Sequence, residues 1–144
     1  MKKINLGVLG PTGKMGSSII KESEQFPNFN ISSLCEKKGH HSIGEKIGQV
    51  QIIDNLEKCV KSSDVVIDFT TPETTLEILK ILQVEKEKAL VVGTTGFTNK
   101  QEKEFQKLSK DLKILRASNM SLGINTMCFI TDLISSNLKE EVEI

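Results

Sequence analysis

Short apolar runs alternate with segments of helical periodicity along almost the whole chain. The apolar runs predict strands near residues 4–9, 30–35, 64–69, 89–93 and 113–116. Helical spacing predicts helices near residues 14–26, 72–83, 99–110 and 122–138. Alternation of this kind is typical of a parallel sheet that helices cover on both faces. The pattern therefore predicts an α/β fold with a doubly wound parallel sheet.

Two of the predicted helices carry apolar stripes that we interpret as core positions. The stripe of the helix near 99–110 is formed by Phe105, Leu108 and Leu112. The stripe of the last helix is formed by Leu122, Phe129, Ile130, Leu133 and Ile134. We expect both stripes to pack in the interior and not against a ligand.

The first strand leads into a glycine-rich turn and then into a helix that begins near Lys14. Gly10 allows the tight turn after the strand, Gly13 allows backbone to approach a pyrophosphate, and Gly16 allows the helix to lie close to the sheet. The helix N-terminus would hold the pyrophosphate with its N–H groups and its dipole. This arrangement predicts a dinucleotide-binding turn in a Rossmann-like fold.

An acidic residue and two lysines follow the second predicted strand. Glu36 lies twenty residues beyond Gly16, where a carboxylate can hold the adenosine ribose hydroxyls. Lys37 and Lys38 come next, and a cation there can accept the extra phosphate of NADP. The sequence Glu36-Lys37 therefore suggests that both NADH and NADPH bind, although a solvated loop would account for the same three residues.

Polar or glycine-rich turns follow three further strands. Phe69 and Thr70 end one strand, and Thr70 or Thr71 can cap the next helix with Pro72 in its first turn. The segments 93–96 and 117–121 end the following two strands. Because the carboxyl ends of parallel strands lie at one edge of a sheet, we expect these turns and the glycine turn to line one crevice.

The segment from Lys37 to Gln49 contains three glycines and the pair His40-His41. We interpret it as a mobile loop over the edge of the cofactor site. The two histidines lack a third metal ligand at a convincing spacing, so we assign them no role and predict no metal site.

Composition limits the classes of partner. The chain has 144 residues, of which 38% are hydrophobic, a size and content typical of one globular domain. Nineteen basic and nineteen acidic residues cancel, so we expect neither nucleic acid nor a membrane as partner. The three cysteines are widely separated and form no Cys-x-x-Cys pair, which favours reduced thiols in a cytoplasmic protein.

Four motifs resemble those of 4-hydroxy-tetrahydrodipicolinate reductase and occur in that family's order. They are Gly-Pro-Thr-Gly-Lys-Met-Gly at 10–16, Asp-Phe-Thr at 68–70, Gly-Thr-Thr-Gly at 93–96, and Ser-Asn-Met-Ser-Leu-Gly-Ile-Asn at 118–125. The third and fourth motifs are the most specific. The resemblance spans essentially the whole chain and implies NADH- or NADPH-dependent reduction of a cyclic dicarboxylic substrate in diaminopimelate and lysine biosynthesis.

The resemblance also implies roles for individual residues. The pyrophosphate would be lined by Gly10, Pro11, Thr12, Gly13, Lys14 and Met15. Glu36 would bind the ribose and Lys37 the ribose phosphate of NADP, while Phe69 and Thr70 would face the same crevice. The nicotinamide would be flanked by Gly93, Thr94, Thr95, Ala117, Ser118, Asn119 and Met120. Family members often carry an aromatic residue in place of Met120, whose flexible thioether can fill that space.

The family's second domain begins where this sequence stops. That domain supplies a His-His-x-x-x-Lys motif for acid catalysis and a Gly-Thr turn for the substrate carboxylates, so we expect the catalytic histidine and lysine beyond Ile144 and none within the chain. We expect a dinucleotide-binding domain at 1–121 and, at 122–144, a connecting helix and the first strand of a substrate-binding and tetramerisation domain. Residues 139–144 would form a strand with an unpaired edge, and the full-length enzyme would be a homotetramer.

Two alternatives remain open at this point. The chain could be a non-catalytic dinucleotide-binding module that binds cofactor without turnover. It could also be the first domain of another two-domain oxidoreductase, such as an aspartate or homoserine dehydrogenase, although the Gly-Thr-Thr-Gly motif argues against this.

Overall fold

The computed structural model describes residues 3–138 as one seven-stranded sheet with five helices. The strands are β1 (Ile4–Leu9), β2 (Phe29–Cys35), β3 (Lys46–Ile47), β4 (Val50–Ile53), β5 (Val65–Asp68), β6 (Ala89–Val92) and β7 (Lys113–Arg116). The helices are α1 (Lys14–Ser23), α2 (Leu56–Lys61), α3 (Pro72–Leu82), α4 (Asn99–Leu108) and α5 (Leu122–Asn137).

The order in which strands are added to the sheet reverses at its centre, beside β1. The order is β3-β4-β2-β1-β5-β6-β7, and all neighbouring pairs are parallel except β3 with β4. From β1 the chain first builds outward through β2 and β4, and then returns to build through β5, β6 and β7 on the other side. Open sheets of this topology bind ligands outside the carboxyl ends of the strands at the reversal, here between β1 and β5.

Two apolar clusters lie on opposite faces of the sheet. The larger joins the sheet to α2, α3 and α4 and includes the fully buried Val60, Ile78 and Leu90. The smaller packs Ile20 of α1 against β1, β2 and β4. Successive residues of one strand reach opposite clusters, since Val8 belongs to the smaller and Leu9 to the larger. The Rossmann-like, doubly wound α/β architecture is thus confirmed.

The five predicted strands and four predicted helices are present, with ends within three residues of the expected positions. The stripe of α4 is also confirmed, because Phe105 is buried and Leu108 and Leu112 pack against the larger cluster. Strands β3 and β4 and helix α2 were not predicted from the sequence. The segment 37–49, predicted as a loop, forms hydrogen-bonded turns and then pairs Lys46 and Ile47 antiparallel with β4.

The prediction of a buried stripe on α5 was wrong for the described chain. No residue of α5 is buried, and Leu122, with 83% of its surface exposed, and Phe129, with 68%, are among its most accessible residues. Ile130, Leu133 and Ile134 are also exposed. The physical reason is that no element of residues 3–138 covers this helix. The strand expected near the end of the chain lies outside the described residues.

Candidate functional site at the carboxyl edge of the sheet

The N-terminus of α1 differs from the other helix starts of the described chain. Asn55, Thr71, Thr98 and Ser121 cap α2, α3, α4 and α5 by accepting a backbone N–H with their side chains. The cap of α1 is Gly13, and α1 has no acidic residue in its first turn. Within residues 3–138, α1 is therefore the helix whose start lacks a side-chain acceptor, as an anion-binding terminus requires.

Backbone geometry explains the glycines of this turn. Gly10 has a φ of +61°, in the left-handed region that favours glycine. A Cβ on Gly16 would lie 2.1 Å from the Gly10 carbonyl oxygen, and one on Gly13 would lie 3.3 Å from the same atom. The close approach of α1 to the turn therefore requires Gly16, which was predicted to allow close packing of the helix on the sheet.

Glu36 lies against the glycine turn. Its Oε1 accepts a hydrogen bond from the Thr12 hydroxyl at 2.6 Å and another from the Thr12 N–H at 3.2 Å. The Glu36 N–H donates to the Ile53 carbonyl at 2.9 Å, so pairing with β4 positions the residue after β2 ends. The carboxylate predicted to bind a ribose is thus fixed beside the turn predicted to bind the pyrophosphate.

A cleft of about 430 Å³ opens between these two features and α3. It is lined by Leu9, Gly10, Cys35, Glu36, Lys37, Lys38, Asp54, Leu56, Thr70, Thr71, Thr74 and Glu77. Asp54 and Leu56 reach the cleft from the region after β4, for which no element was predicted from the sequence. The sequence signal for them is weak, since Val50, Ile52 and Ile53 are apolar and Asn55 can cap a helix but the run is too short to show a clear period.

A buried carboxylate organises the end of β5. Asp68 is 0% exposed. Its Oδ1 accepts from the Thr70 hydroxyl at 2.5 Å and the Thr70 N–H at 3.0 Å, and its Oδ2 accepts from the Thr75 hydroxyl at 2.5 Å. The Thr70 N–H also donates to the Thr94 hydroxyl oxygen at 3.0 Å. The Asp68 carboxylate, for which no separate role was predicted, thus holds Thr70, and the Thr70 N–H connects the end of β5 to the end of β6.

Phe69 and Gly93 are in close contact across the same two strand ends. A Cβ on Gly93 would lie 2.0 Å from Cε1 of the Phe69 ring. The Gly93 N–H donates to the Asp68 carbonyl at 2.9 Å. Glycine at position 93 therefore gives the Phe69 ring its place at the edge of the sheet.

A second cleft, of about 260 Å³, lies beside this contact. It is lined by Met15, Phe69, Gly93, Ala117, Ser118, Asn119, Met120 and Ser121. Hydrogen bonds order its far wall, since the Asn119 side chain donates to Asn125 Oδ1 at 2.8 Å and accepts the Ser121 N–H at 2.9 Å. The polar residues of the Ser-Asn-Met-Ser-Leu-Gly-Ile-Asn motif therefore shape the segment that leads into α5.

Arg116 closes the end of β7 against α4. Its guanidinium donates to both carboxylate oxygens of Glu102 at 2.6 and 2.8 Å. These hydrogen bonds lower the pKa of the Glu102 carboxyl and raise the pKa of Arg116. A cleft of about 440 Å³ adjoins the pair and is lined by Thr94, Thr95, Gly96, Phe97, Glu102, Arg116 and Ser118. Arg116 was not among the predicted site residues, because no motif in the sequence marks it.

Thirteen of the predicted site residues line three clefts along one edge of the sheet, and Pro11, Thr12, Gly13 and Lys14 form the turn and helix start beside them. The first cleft collects Gly10, Glu36, Lys37 and Thr70, and the second collects Met15, Phe69, Gly93 and the segment 117–120. Thr94 and Thr95 border the third cleft beside Ser118. The rings of His40 and His41 are tilted by 32° with centroids 4.3 Å apart, and the two residues line none of these three clefts.

These features fit a dinucleotide. The uncapped start of α1 suits a pyrophosphate, and the first and second clefts flank that start. Residues 3–138 contain no group of three or more histidine, cysteine or acidic side chains placed to hold a metal ion. Among the described helices, none has the length and apolar content needed to cross a bilayer.

Comparison with known proteins agrees with this geometry. Residues 4–120 match the family described as dihydrodipicolinate reductase, N-terminus. The chain is 45% identical over 141 residues to 4-hydroxy-tetrahydrodipicolinate reductase of Pelagibacter ubique, covering 98% of this chain and 53% of that protein. It is 34% identical to the protein of the same name from Buchnera aphidicola, covering 99% and 57%.

A solved structure shares the fold. Dipicolinate-bound dihydrodipicolinate reductase from Paenisporosarcina sp. TG-14 superimposes with a TM-score of 0.74 at 24% identity, covering 94% of this chain and 54% of that one. The chain thus spans about half the length of the curated relatives it matches. The match favours this family over the aspartate and homoserine dehydrogenases. The chain belongs to the dihydrodipicolinate reductase family, and its residues 4–120 match the N-terminal part of that family.

Proposed function

We propose that the chain binds NADH or NADPH across the carboxyl edge of the sheet. The observation that carries this proposal is the uncapped N-terminus of α1, which lies between the Glu36 cleft and the Phe69–Gly93 cleft. A dinucleotide has one anionic centre and two flanking rings, and the site offers one anion-binding helix start with a cleft on each side.

Each part of the cofactor has a candidate partner. Residues 10–15 would hold the pyrophosphate, and Glu36 would accept hydrogen bonds from the adenosine ribose. Lys37, beside Glu36 in the first cleft, would pair with the additional phosphate of NADP. Gly93–Thr95 and Ala117–Met120 would flank the nicotinamide, with Phe69 and Thr70 at the end of β5 between the two halves of the site.

We further propose that this cofactor site serves the reduction of 4-hydroxy-tetrahydrodipicolinate. The bound nicotinamide would supply a hydride to the substrate carbon, and this chain's residues would orient the two reactants. The catalytic acid and the groups that bind the substrate carboxylates are expected outside these 144 residues. Support comes from the family match and from the names of the curated relatives.

The organisation of the longer protein is also a proposal. We place the dinucleotide-binding domain at residues 1–121 and the connection to a substrate-binding domain at 122–144. The exposed apolar side chains of α5 are consistent with a helix that another part of the protein covers. We expect a homotetramer for the full-length enzyme. The cysteines, which are free in this structure, support a reducing compartment such as the cytoplasm.

Titration with NADH and NADPH tests the cofactor proposal. We expect saturable binding, with a dissociation constant from roughly micromolar to millimolar. Glu36→Ala should weaken NADH about tenfold because a charged hydrogen bond to the ribose is lost. NADPH should be affected less, because its ribose hydroxyl is esterified. Glu24→Ala, at the opposite end of α1, provides a matched control.

The outcomes separate the parts of the proposal. A wild-type titration without a saturable nicotinamide signal would contradict dinucleotide binding. Equal losses of NADH and NADPH affinity in Glu36→Ala would contradict the role of Glu36 alone. Sequencing the coding DNA beyond the codon for Ile144 tests the reductase proposal, which expects a His-His-x-x-x-Lys motif there. A stop codon at that point would favour a module that binds cofactor without turnover.

A further inference from the structure

A cation and two aromatic rings join the two segments that we propose to place around the nicotinamide. Arg116 is the last residue of β7, directly before Ala117, and Phe97 ends the turn that follows β6. The guanidinium carbon lies 4.3 Å from the centroid of the Phe97 ring and 4.2 Å from that of Phe105. The Arg116 side chain therefore connects the end of β7, which leads into segment 117–121, with the turn that follows β6.

The geometry of the guanidinium is fixed from α4. Glu102 accepts two hydrogen bonds from it, and the Phe97 and Phe105 rings meet edge to face with centroids 5.8 Å apart. A planar guanidinium can make two parallel hydrogen bonds while stacking on a ring, whereas a lysine ammonium can do neither in this way. The arrangement thus depends on arginine and not only on positive charge.

The turn from Gly93 to Phe97 is held at both ends. At its start, the Gly93 N–H donates to the Asp68 carbonyl, and the Thr94 hydroxyl accepts the Thr70 N–H. At its far end, the Phe97 ring lies against Arg116. Gly96 has a φ of +83°, so the backbone turns sharply just before Phe97. Loss of the Arg116 contact would leave that end of the turn held by the Phe105 ring and by the cap of α4 at Thr98, and would free the Phe97 ring on the side that faces β7.

We propose that Arg116 is a positioning residue that sets the separation between the turn 93–97 and the segment 117–121. This inference rests on the proposed function, in which the two segments are the walls of the nicotinamide site. A flat ring between two walls loses contact when either wall moves outward. The adenosine half of the cofactor would be unaffected, because its partners lie on the glycine turn and at the end of β2.

Comparison of NADH with ADP-ribose isolates the nicotinamide half, because ADP-ribose lacks only that ring. In Arg116→Met we expect the dissociation constant of NADH, measured by calorimetry, to rise roughly fivefold or more. We expect that of ADP-ribose to change by less than about twofold. Arg116→Lys should behave like Arg116→Met. Lys80→Met is the matched control. It removes an ion pair in which Lys80 Nζ lies 3.3 Å from Glu104 Oε1, which also holds α4 but is away from the strand ends. This variant should leave the ratio of the NADH and ADP-ribose dissociation constants unchanged.

Each alternative result has a distinct meaning. Equal weakening of both ligands, or unchanged NADH affinity, would show that Arg116 only stabilises the fold and would overturn the inference. If the wild-type chain binds ADP-ribose as tightly as NADH, the nicotinamide ring adds no affinity. That result would overturn the inference about Arg116 but not the proposed binding of the adenosine half. A wild-type chain that binds neither ligand would overturn the proposed function and this inference with it. If Arg116→Met fails to fold, Glu102→Gln, which weakens the same contact, should shift the ratio in the same direction by a smaller factor.

Discussion

Replacing Gly16 with alanine tests the packing of the glycine turn against α1. The added Cβ would lie 2.1 Å from the Gly10 carbonyl oxygen, 2.8 Å from its carbon and 2.9 Å from the Pro11 Cα. All three are backbone atoms, so no side chain can rotate away. Since a carbon and an oxygen in contact are normally about 3.3 Å apart, the turn and the helix would have to separate by about 1 Å.

Two opposing effects set the size of the change in stability. Overpacking typically costs about 1–3 kcal/mol, whereas alanine is favoured over glycine within a helix by about 1 kcal/mol. The strain is expected to exceed the propensity gain, because the clashing atoms belong to the backbone of a turn with a positive φ at Gly10. We therefore expect Gly16→Ala to lower the free energy of unfolding by up to about 2 kcal/mol, the strain less the propensity gain.

Urea denaturation measures this loss, and NADH titration measures its consequence for the site. We expect NADH affinity to fall about tenfold, because the displaced turn carries the proposed pyrophosphate contacts. Gly123→Ala is the matched control, because Gly123 is also a glycine within a helix. An added Cβ there would lie 3.8 Å from the Ser121 Oγ, which is an ordinary van der Waals distance. Gly123→Ala should be neutral or slightly stabilising. A Gly16→Ala protein as stable as wild type would refute the argument that the turn cannot relax.

Three further predictions concern protonation, thiol access and a buried carboxylate. Hydrogen bonds from Arg116 lower the pKa of Glu102 below its ordinary value of 4.5, so their stabilisation is present above that pH and is lost as the pH falls through the lowered value. Glu102→Gln should therefore flatten the acid limb of Tm against pH, and parallel curves would contradict this. In the folded 144-residue chain, a thiol reagent should quickly modify only the exposed Cys128 of the three cysteines, and rapid labelling of Cys128→Ser would be inconsistent with the burial of the other two. Asp68→Asn should cost about 1–3 kcal/mol in urea denaturation, against less than about 0.5 for the exposed Asp132→Asn, and equal effects would count against the Asp68 network.

The strands and helices at the centre of the fold could be predicted because their signals are local. The apolar run of β1, the glycine turn and the helical spacing of α1 lie within about two dozen consecutive residues. The pair β3 and β4 was missed because two short strands with a polar turn give almost no periodicity. Their presence depends instead on pairing, since β4 is held by the end of β2 through residues Leu34 and Cys35.

The stripe of α5 shows a different limit of sequence reasoning. Its periodicity correctly predicts a helix over 122–137, but periodicity does not specify which part of a protein covers the apolar face. On α4 the same pattern lies over the sheet and Phe105 becomes buried, whereas on α5 every residue is accessible within the described chain. Equal patterns thus led to opposite burial, because burial depends on the position of the helix relative to the sheet.

The features of the candidate site that depend on the backbone could be predicted from the sequence, whereas those that depend on side-chain contacts could not. The glycines and the strand ends could be located from sequence, because parallel strands bring their carboxyl ends to one edge regardless of side-chain detail. Asp68 with Thr94, and Arg116 with Phe97, meet only after β5, β6 and β7 are aligned. The backbone features account for where a dinucleotide would lie, and the side-chain contacts account for how firmly the walls of its nicotinamide half would be held. Substitutions at Gly16 should therefore impair both halves of the cofactor together, whereas substitutions at Arg116 should separate them.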